Sequence, residues 1–173
     1  MVTAVPLLDG WRFCPRCAGP LTTQPDRSER CAACGFQVWP HSVPGAQALV
    51  ERDGRVLLGR RAFDPGAGLW DLPGGFLEEA EAPLDGLHRE LREETGLEVA
   101  ADEFFGIWLQ EYAGRTVLCL TWLARPVGGE ERPGDDLVEL RWFAPGELPG
   151  PDELAFSSFV EILAAWRARH EHR

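Results

Sequence analysis

Apolar and polar positions along the chain fall into distinct periods, and each period predicts an element. Leu84, Leu87 and Leu91 recur at the spacing of one buried helical face. Pro83 suits the first turn of that helix, where a missing N–H costs nothing, and Gly96 suits the position that ends it. A second helical stripe is Phe159, Ile162, Leu163 and Trp166, with Ser157 or Ser158 as its start. The charged tail Arg167–Arg173 is expected to fray. Strand patterns cover Gln47–Glu51 and Val56–Arg60, joined by the hairpin signal Asp53-Gly54. Further strands are read at Phe104–Glu111 and Thr116–Ala124, around Ala113-Gly114-Arg115, and at Leu137–Phe143. Trp39–Pro44 reads as an extended linker, because prolines hold their predecessors out of the helical region. Ala62–Gly68 and Gly128–Asp136 read as loops.

Composition and charge change this picture in four ways. The 173 residues suffice for one ordinary domain plus a small module, and an apolar content of 45% supports a packed core. No apolar run is long enough to span a membrane. The start, MVTAVPLLDGWRF, lacks a basic segment followed by an apolar one, so no secretory signal is expected; the five cysteines point to no disulfide framework, which makes a reducing cytoplasm the simplest location. The formal net charge of −11 argues against broad nucleic-acid binding. It leaves room for a nucleotide substrate, since local arginines and metal ions can hold an anion.

Four of the five cysteines form two knuckles, Cys14-Pro-Arg-Cys17 and Cys31-Ala-Ala-Cys34, thirteen residues apart. That spacing fits a four-thiolate structural zinc site, with rubredoxin-like iron or redox thiols as alternatives. Such a module is too small to fold on a core alone, so the metal would supply much of its stability. Cys119, in the apolar centre of a strand, reads as a buried inert thiol.

The first helix also carries Glu90, Glu93 and Glu94. At about 100° per residue they share an arc of roughly 100° beside the leucine stripe. Three like charges so close repel one another unless a cation joins them, and Mg²⁺ or Mn²⁺ prefers carboxylate oxygen. Gly86, one turn before Glu90, costs about 1 kcal/mol in a helix interior. It leaves room beside a metal or is simply tolerated.

From Gly75 the residues run Gly, five others, Glu81, seven others, then Arg89-Glu90-Leu91-Arg92-Glu93-Glu94-Thr95-Gly96-Leu97. This resembles the complete signature of the Nudix hydrolases at every fixed position. The resemblance implies an α/β fold, a Nudix-type α/β/α sandwich with a mixed sheet, preceded here by the small four-cysteine ribbon. The division would be a zinc-ribbon module at 1–40 and a hydrolase domain at 41–173. It implies metal-assisted hydrolysis of a diphosphate joined to a nucleoside. Glu90, Glu93 and Glu94 would be metal ligands, with Glu93 or Glu94 doubling as base, and the Gly74 carbonyl would be a further ligand. Arg89 and Glu81 would brace the loop and helix, with Gly75 in the same loop. A late-loop carboxylate often completes such sites, and Glu139 and Asp136 are the candidates, against a solvated loop charge. A metal-held water, deprotonated by a carboxylate, would attack one phosphorus in line.

The ribbon, the Leu69-Trp70-Asp71-Leu72-Pro73 approach and Leu154-Ala155-Phe156-Ser157-Ser158 together resemble the group with FAD and ADP-ribose pyrophosphatases. Arg60, Trp70 and Phe156 are the substrate-binding candidates, and Arg60 and Arg61 read equally as a solvated strand end. Tyr112 is a candidate for stacking on a base or a plain hairpin edge, and Trp108 is a second tryptophan of interest. His88, His170 and His172 read as exposed. A nucleoside triphosphatase and a catalytically weak nucleotide sensor remain as alternatives. The expected partner is a small nucleotide, with no nucleic acid and no membrane, and a homodimer is left open.

Overall fold

The computed structural model describes residues 7–170. The first residues of the N-terminal stretch, His172 and the end of the charged tail lie outside the described residues.

The N-terminal module is a three-stranded antiparallel sheet, β1 (Leu21–Thr23), β2 (Glu29–Cys31) and β3 (Gln37–Val38). The main sheet contains β4 (Val43–Arg52), β5 (Arg55–Arg61), β8 (Leu97–Tyr112), β9 (Arg115–Gly129) and β10 (Leu137–Phe143), in the order β10-β5-β4-β9-β8. Only β4 and β9 run parallel along this order. Two short strands join it, β6 (Trp70–Asp71) on β5 and β7 (Gly74–Phe76) on β4. Helices α1 (Pro83–Thr95) and α2 (Ser158–His170) cover its two faces. This is the expected sandwich with a mixed sheet.

Strand alternation sorts the core. Ala46, Ala48 and Val50 of β4 pack with Leu87 and Leu91 of α1. Leu49 of β4 points the other way and packs with Phe159, Ile162, Leu163 and Trp166 of α2. Each buried leucine stabilises by about 1.5–3 kcal/mol, which outweighs the ~1 kcal/mol that Gly86 costs α1. The Asp53-Gly54 hairpin has both residues at positive φ, 54° and 71°, as its two-residue turn requires.

Several expectations need correction. Val43 and Pro44 belong to β4, not to a linker, because β4 pairs β9 from Val43 onward. The strands after α1 are longer than alternation indicated: β8 starts at Leu97 and β9 ends at Gly129. Register shifts within β8 break its alternation, which hid residues 97–103 from a period-two reading. Leu84 is exposed, and Leu77 of the preceding loop packs on the core instead. His88 and His170 are half-buried, and α2 stays helical through His170, where Nδ1 lies 3.0 Å from the Trp166 carbonyl.

Candidate active site

A cavity of about 240 Å³ opens between β7, the second half of α1, the sheet and the segment before α2. One wall is formed by Gly74, Gly75, Glu90 and Glu94, and the 130–136 loop adds Asp135 and Asp136. Arg61, Asp71, Tyr112 and Phe156 also line the cavity.

The glycines are needed by close approach. A Cβ on Gly74 would sit 2.3 Å from the Ala46 carbonyl oxygen and 2.4 Å from the Gln47 Cα, and its φ is 145°. A Cβ on Gly75 would lie 2.5 Å from the Glu90 carboxylate. Bare backbone therefore brings the loop against both glutamates. The Gly74 amide donates to Glu94 Oε2 at 2.8 Å. Gly86 has a different reason than metal room: a Cβ there would meet Leu77 at 2.4 Å and Glu81 at 2.8 Å.

Arg89 is the brace between loop and helix. It donates from Nε and Nη2 to the two oxygens of Glu81, both at 2.9 Å, and from Nη2 to the Phe76 carbonyl at 3.1 Å. Its Nη1 donates to Glu90 at 2.7 Å and Glu93 at 3.3 Å. Those bonds and the amide of Glu78 hold the Glu81 carboxyl down at about 2. Burial, followed by repulsion from Asp71 and Glu90, pushes Glu94 well above the usual carboxylate range. Burial also raises Glu90, against the pull of Arg89. Asp71 is raised to about 6 by burial despite its ion pair with Arg61.

The late loop owes its position to the end of α1. Glu130, Arg132 and Gly134 donate their amides to the carbonyls of Gly96, Thr95 and Glu94 at 3.1, 2.9 and 2.9 Å. Carbonyls left over at a helix C-terminus are thereby satisfied, and Asp135 and Asp136 are delivered to the cavity.

Not every candidate converges. Glu93 is half exposed, is held by Arg89 and does not line the cavity. Glu139 pairs with Arg60 at 2.8 Å, and Arg60 stacks over Trp70 at 4.5 Å. None of these three lines the cavity, and Trp70 packs edge-on against Phe143. Trp108 stacks on Phe105 in the core instead. Phe156 and Tyr112 do line it, with ring centroids 5.8 Å apart. Sequence reading missed Asp71, Gln47 and Gln110. Their signal was a polar residue inside an otherwise apolar strand pattern.

In the N-terminal module the ligand atoms of Cys14, Cys17, Cys31 and Cys34 all lie within 4.8 Å of one another. The Cys14–Cys34 and Cys17–Cys31 sulfur pairs are 3.5 Å apart, close to the edge of a tetrahedron around a metal with ~2.3 Å bonds to sulfur. The two knuckles repeat one turn: Ala18 and Gly35 have φ of 58° and 75° and donate to the carbonyls of Cys14 and Cys31. Backbone amides of Cys34 and Ala33 hold the Cys31 thiol down to about 7. Among the described residues no other group of three ligands is this tight. The α1 carboxylates are spread wider, and Arg89 draws Glu90 and Glu93 to itself.

A family model for the NUDIX domain matches residues 41–163, and the chain belongs to that family. It is 31% identical over 137 residues to an ADP-ribose pyrophosphatase of Methanocaldococcus jannaschii, covering 76% of this chain and 79% of that protein. It is 41% identical over 123 residues to a CTP pyrophosphohydrolase of Escherichia coli, covering 70% of this chain and 90% of the relative. The chain spans about half the length of relatives named NAD-capped RNA hydrolase NudC, for example 52% of that of Chromobacterium violaceum. A crystal structure of a NUDIX hydrolase from Nitrosomonas europaea superposes with a TM-score of 0.81 at 25% identity, covering 93% of both chains.

Proposed function

We propose that the chain hydrolyses the diphosphate of a nucleoside diphosphate joined to a further moiety, of FAD or ADP-ribose type, and releases a nucleoside monophosphate. The observation that carries this reading is one cavity lined both by the carboxylates Asp71, Glu90, Glu94, Asp135 and Asp136 and by Arg61, Tyr112 and Phe156. The carboxylates suit a diphosphate held through cations, and the aromatic rings suit a flat heterocycle. The named ADP-ribose pyrophosphatase relative supports the same class.

The donor set fits Mg²⁺ or Mn²⁺. Glu94 is buried with a single amide as its hydrogen-bond partner among the described residues, and Glu90, Asp135 and Asp136 add only oxygen. Glu90, Glu94 and the Gly74 carbonyl would hold the cation, with Glu93 joining from the rim on release from Arg89. A divalent cation there supplies charge neutralisation at the phosphoryl oxygens and a more acidic water. Arg89 and Glu81 orient the glutamates, and Gly75 keeps Glu90 at the loop. Asp136, which lines the cavity, is the preferred proton acceptor over Glu139, which is paired with Arg60.

Residues 1–40 form a structural zinc ribbon in this reading, and 41–173 the hydrolase domain. The tight sulfur cluster supports zinc. The 41% identity to a CTP pyrophosphohydrolase favours one second reading, a nucleoside triphosphate pyrophosphohydrolase. A panel of ADP-ribose, FAD, NADH and nucleoside triphosphates with Mg²⁺ or Mn²⁺ decides between them. AMP with a second monophosphate is expected. Pyrophosphate release from triphosphates alone would reject the first reading.

A further inference from the structure

The cavity lining includes a buried side-chain amide, that of Gln110. Gln110 lies on β8 between Trp108 and Tyr112 on one face of the strand. That face packs on α2, where neighbouring positions are apolar. Gln110 is nonetheless 92% buried, at 8% exposure. Burying an amide without partners costs about 1–3 kcal/mol, so an unneeded glutamine here would be a liability.

Its two ends are treated differently. Oε1 accepts from the Ser158 hydroxyl at 3.2 Å and faces the Cys119 thiol at 3.7 Å. Burial pushes Cys119 up to about 12, so the thiol keeps its proton and acts as the donor. Both lone pairs of the amide oxygen are thus engaged, which fixes which way the amide points. Among the described residues no protein group accepts from Nε2, and Gln110 lines the cavity beside Tyr112. The free end is a donor held in place by two anchors.

We infer that Gln110 is a base-binding residue: its Nε2 donates to an acceptor on the heterocycle of the substrate, which lies against Tyr112. This rests on the nucleotide reading above and adds which residue holds the base. Phe76 and Phe156 flank Tyr112 edge-on and tilted, at 5.3 and 5.8 Å, and Arg61 lies over its ring at 5.7 Å, so the surroundings of Tyr112 are aromatic and cationic. Every common nucleobase offers a carbonyl oxygen or ring nitrogen to such a donor.

The test compares binding of AMP and of ribose 5-phosphate, which lacks the base, with Mg²⁺ present, by titration calorimetry. The wild-type chain is expected to bind AMP at least ~10-fold more tightly. Gln110→Met preserves bulk and removes the donor, and it should weaken AMP by ~10-fold while leaving ribose 5-phosphate unchanged. Equal weakening of both ligands would show that Gln110 only props the start of α2, and would overturn the inference. So would equal wild-type affinities, a result that needs no variant to fold. If the chain cleaves no dinucleotide yet keeps the Gln110-dependent preference for AMP, the hydrolase reading fails and this one stands.

Discussion

The amide of Gly74 donates to the carboxylate of Glu94 across 2.8 Å, although twenty residues separate them. The bond ties the start of β7 to the last turn of α1. It requires Gly74 to sit where any side chain would strike the β4 backbone. The two neighbouring glycines should therefore fail in different ways.

Gly74→Ala puts its Cβ into the Ala46 carbonyl and the Gln47 Cα, neither of which can move without β4. It is expected to destabilise the fold by at least ~3 kcal/mol, read as a shift of the urea midpoint. The nearest atoms to the new Cβ in Gly75→Ala are those of the movable end of Glu90. That variant should fold nearly as well as wild type and lose at least ~10-fold in turnover, because the carboxylate is displaced. Comparable stability losses for both would contradict this distinction.

Glu81 gives a pH-dependent prediction. Arg89 holds its carboxyl at about 2, below the ordinary value of 4.5. The folded state therefore binds the proton less readily than the unfolded one. The pair's stabilising effect is full above 4.5 and disappears as pH falls through about 2. Glu81→Gln should melt below wild type at pH 7, and the gap should narrow steadily between pH 4.5 and 2. A gap independent of pH would mean that the ion pair is not its source.

The cavity carboxylates carry the opposite sign. Glu94 and Glu90 are raised by burial and Asp71 stands at about 6, so the metal-free fold holds protons that the unfolded chain releases. Their contribution to stability is lost as pH rises through these raised values. A cation at the site must displace those protons. Mg²⁺ should raise the melting temperature more at pH 7.5 than at pH 5.5, and its binding should release protons in buffers of differing ionisation enthalpy. Equal stabilisation at both pH values would count against binding at these groups.

The four-cysteine cluster predicts close to one zinc per chain on metal analysis of purified protein. Cys31→Ser should lower the melting temperature of the N-terminal module and leave the metal response of the hydrolase domain largely intact. Finding iron instead would reject the zinc assignment.

How much of this was legible beforehand depended on how local each cause is. Helix α1 was readable because its leucines, Pro83 and Gly96 are local signals, and the two cysteine knuckles were readable by spacing. The Arg89–Glu81 brace followed from the family resemblance. The rest depends on distant chain. Leu84 has the right period for the core, yet Leu77 from the loop takes its place. Asp135 and Asp136 reach the cavity, and Glu139 does not, because the 130–136 loop hydrogen-bonds to the end of α1. No local pattern encodes that docking. Trp70 was a substrate-binding candidate, but β6 pairs with β5 and the ring packs edge-on against Phe143. Gln110 carries a weak local signal, a polar residue in an apolar strand, but its place at the cavity depends on the distant Ser158 and Cys119.

The most direct test of the central claim is turnover by Glu94→Gln, set beside Asp85→Asn on the exposed side of the same helix. Glutamine keeps the shape and can still accept from the Gly74 amide, but it removes one negative charge. The fold should persist, since relief of repulsion from Asp71 and Glu90 costs no packing. Turnover of the best diphosphate substrate should fall by at least a few hundred-fold, about 3–4 kcal/mol of transition-state stabilisation, and more Mg²⁺ should be needed for half-maximal rate. Asp85→Asn should stay near wild type. Near-normal turnover with unchanged Mg²⁺ dependence in Glu94→Gln would contradict the account, because the buried carboxylate at the Gly74 loop would then not be part of the reacting centre.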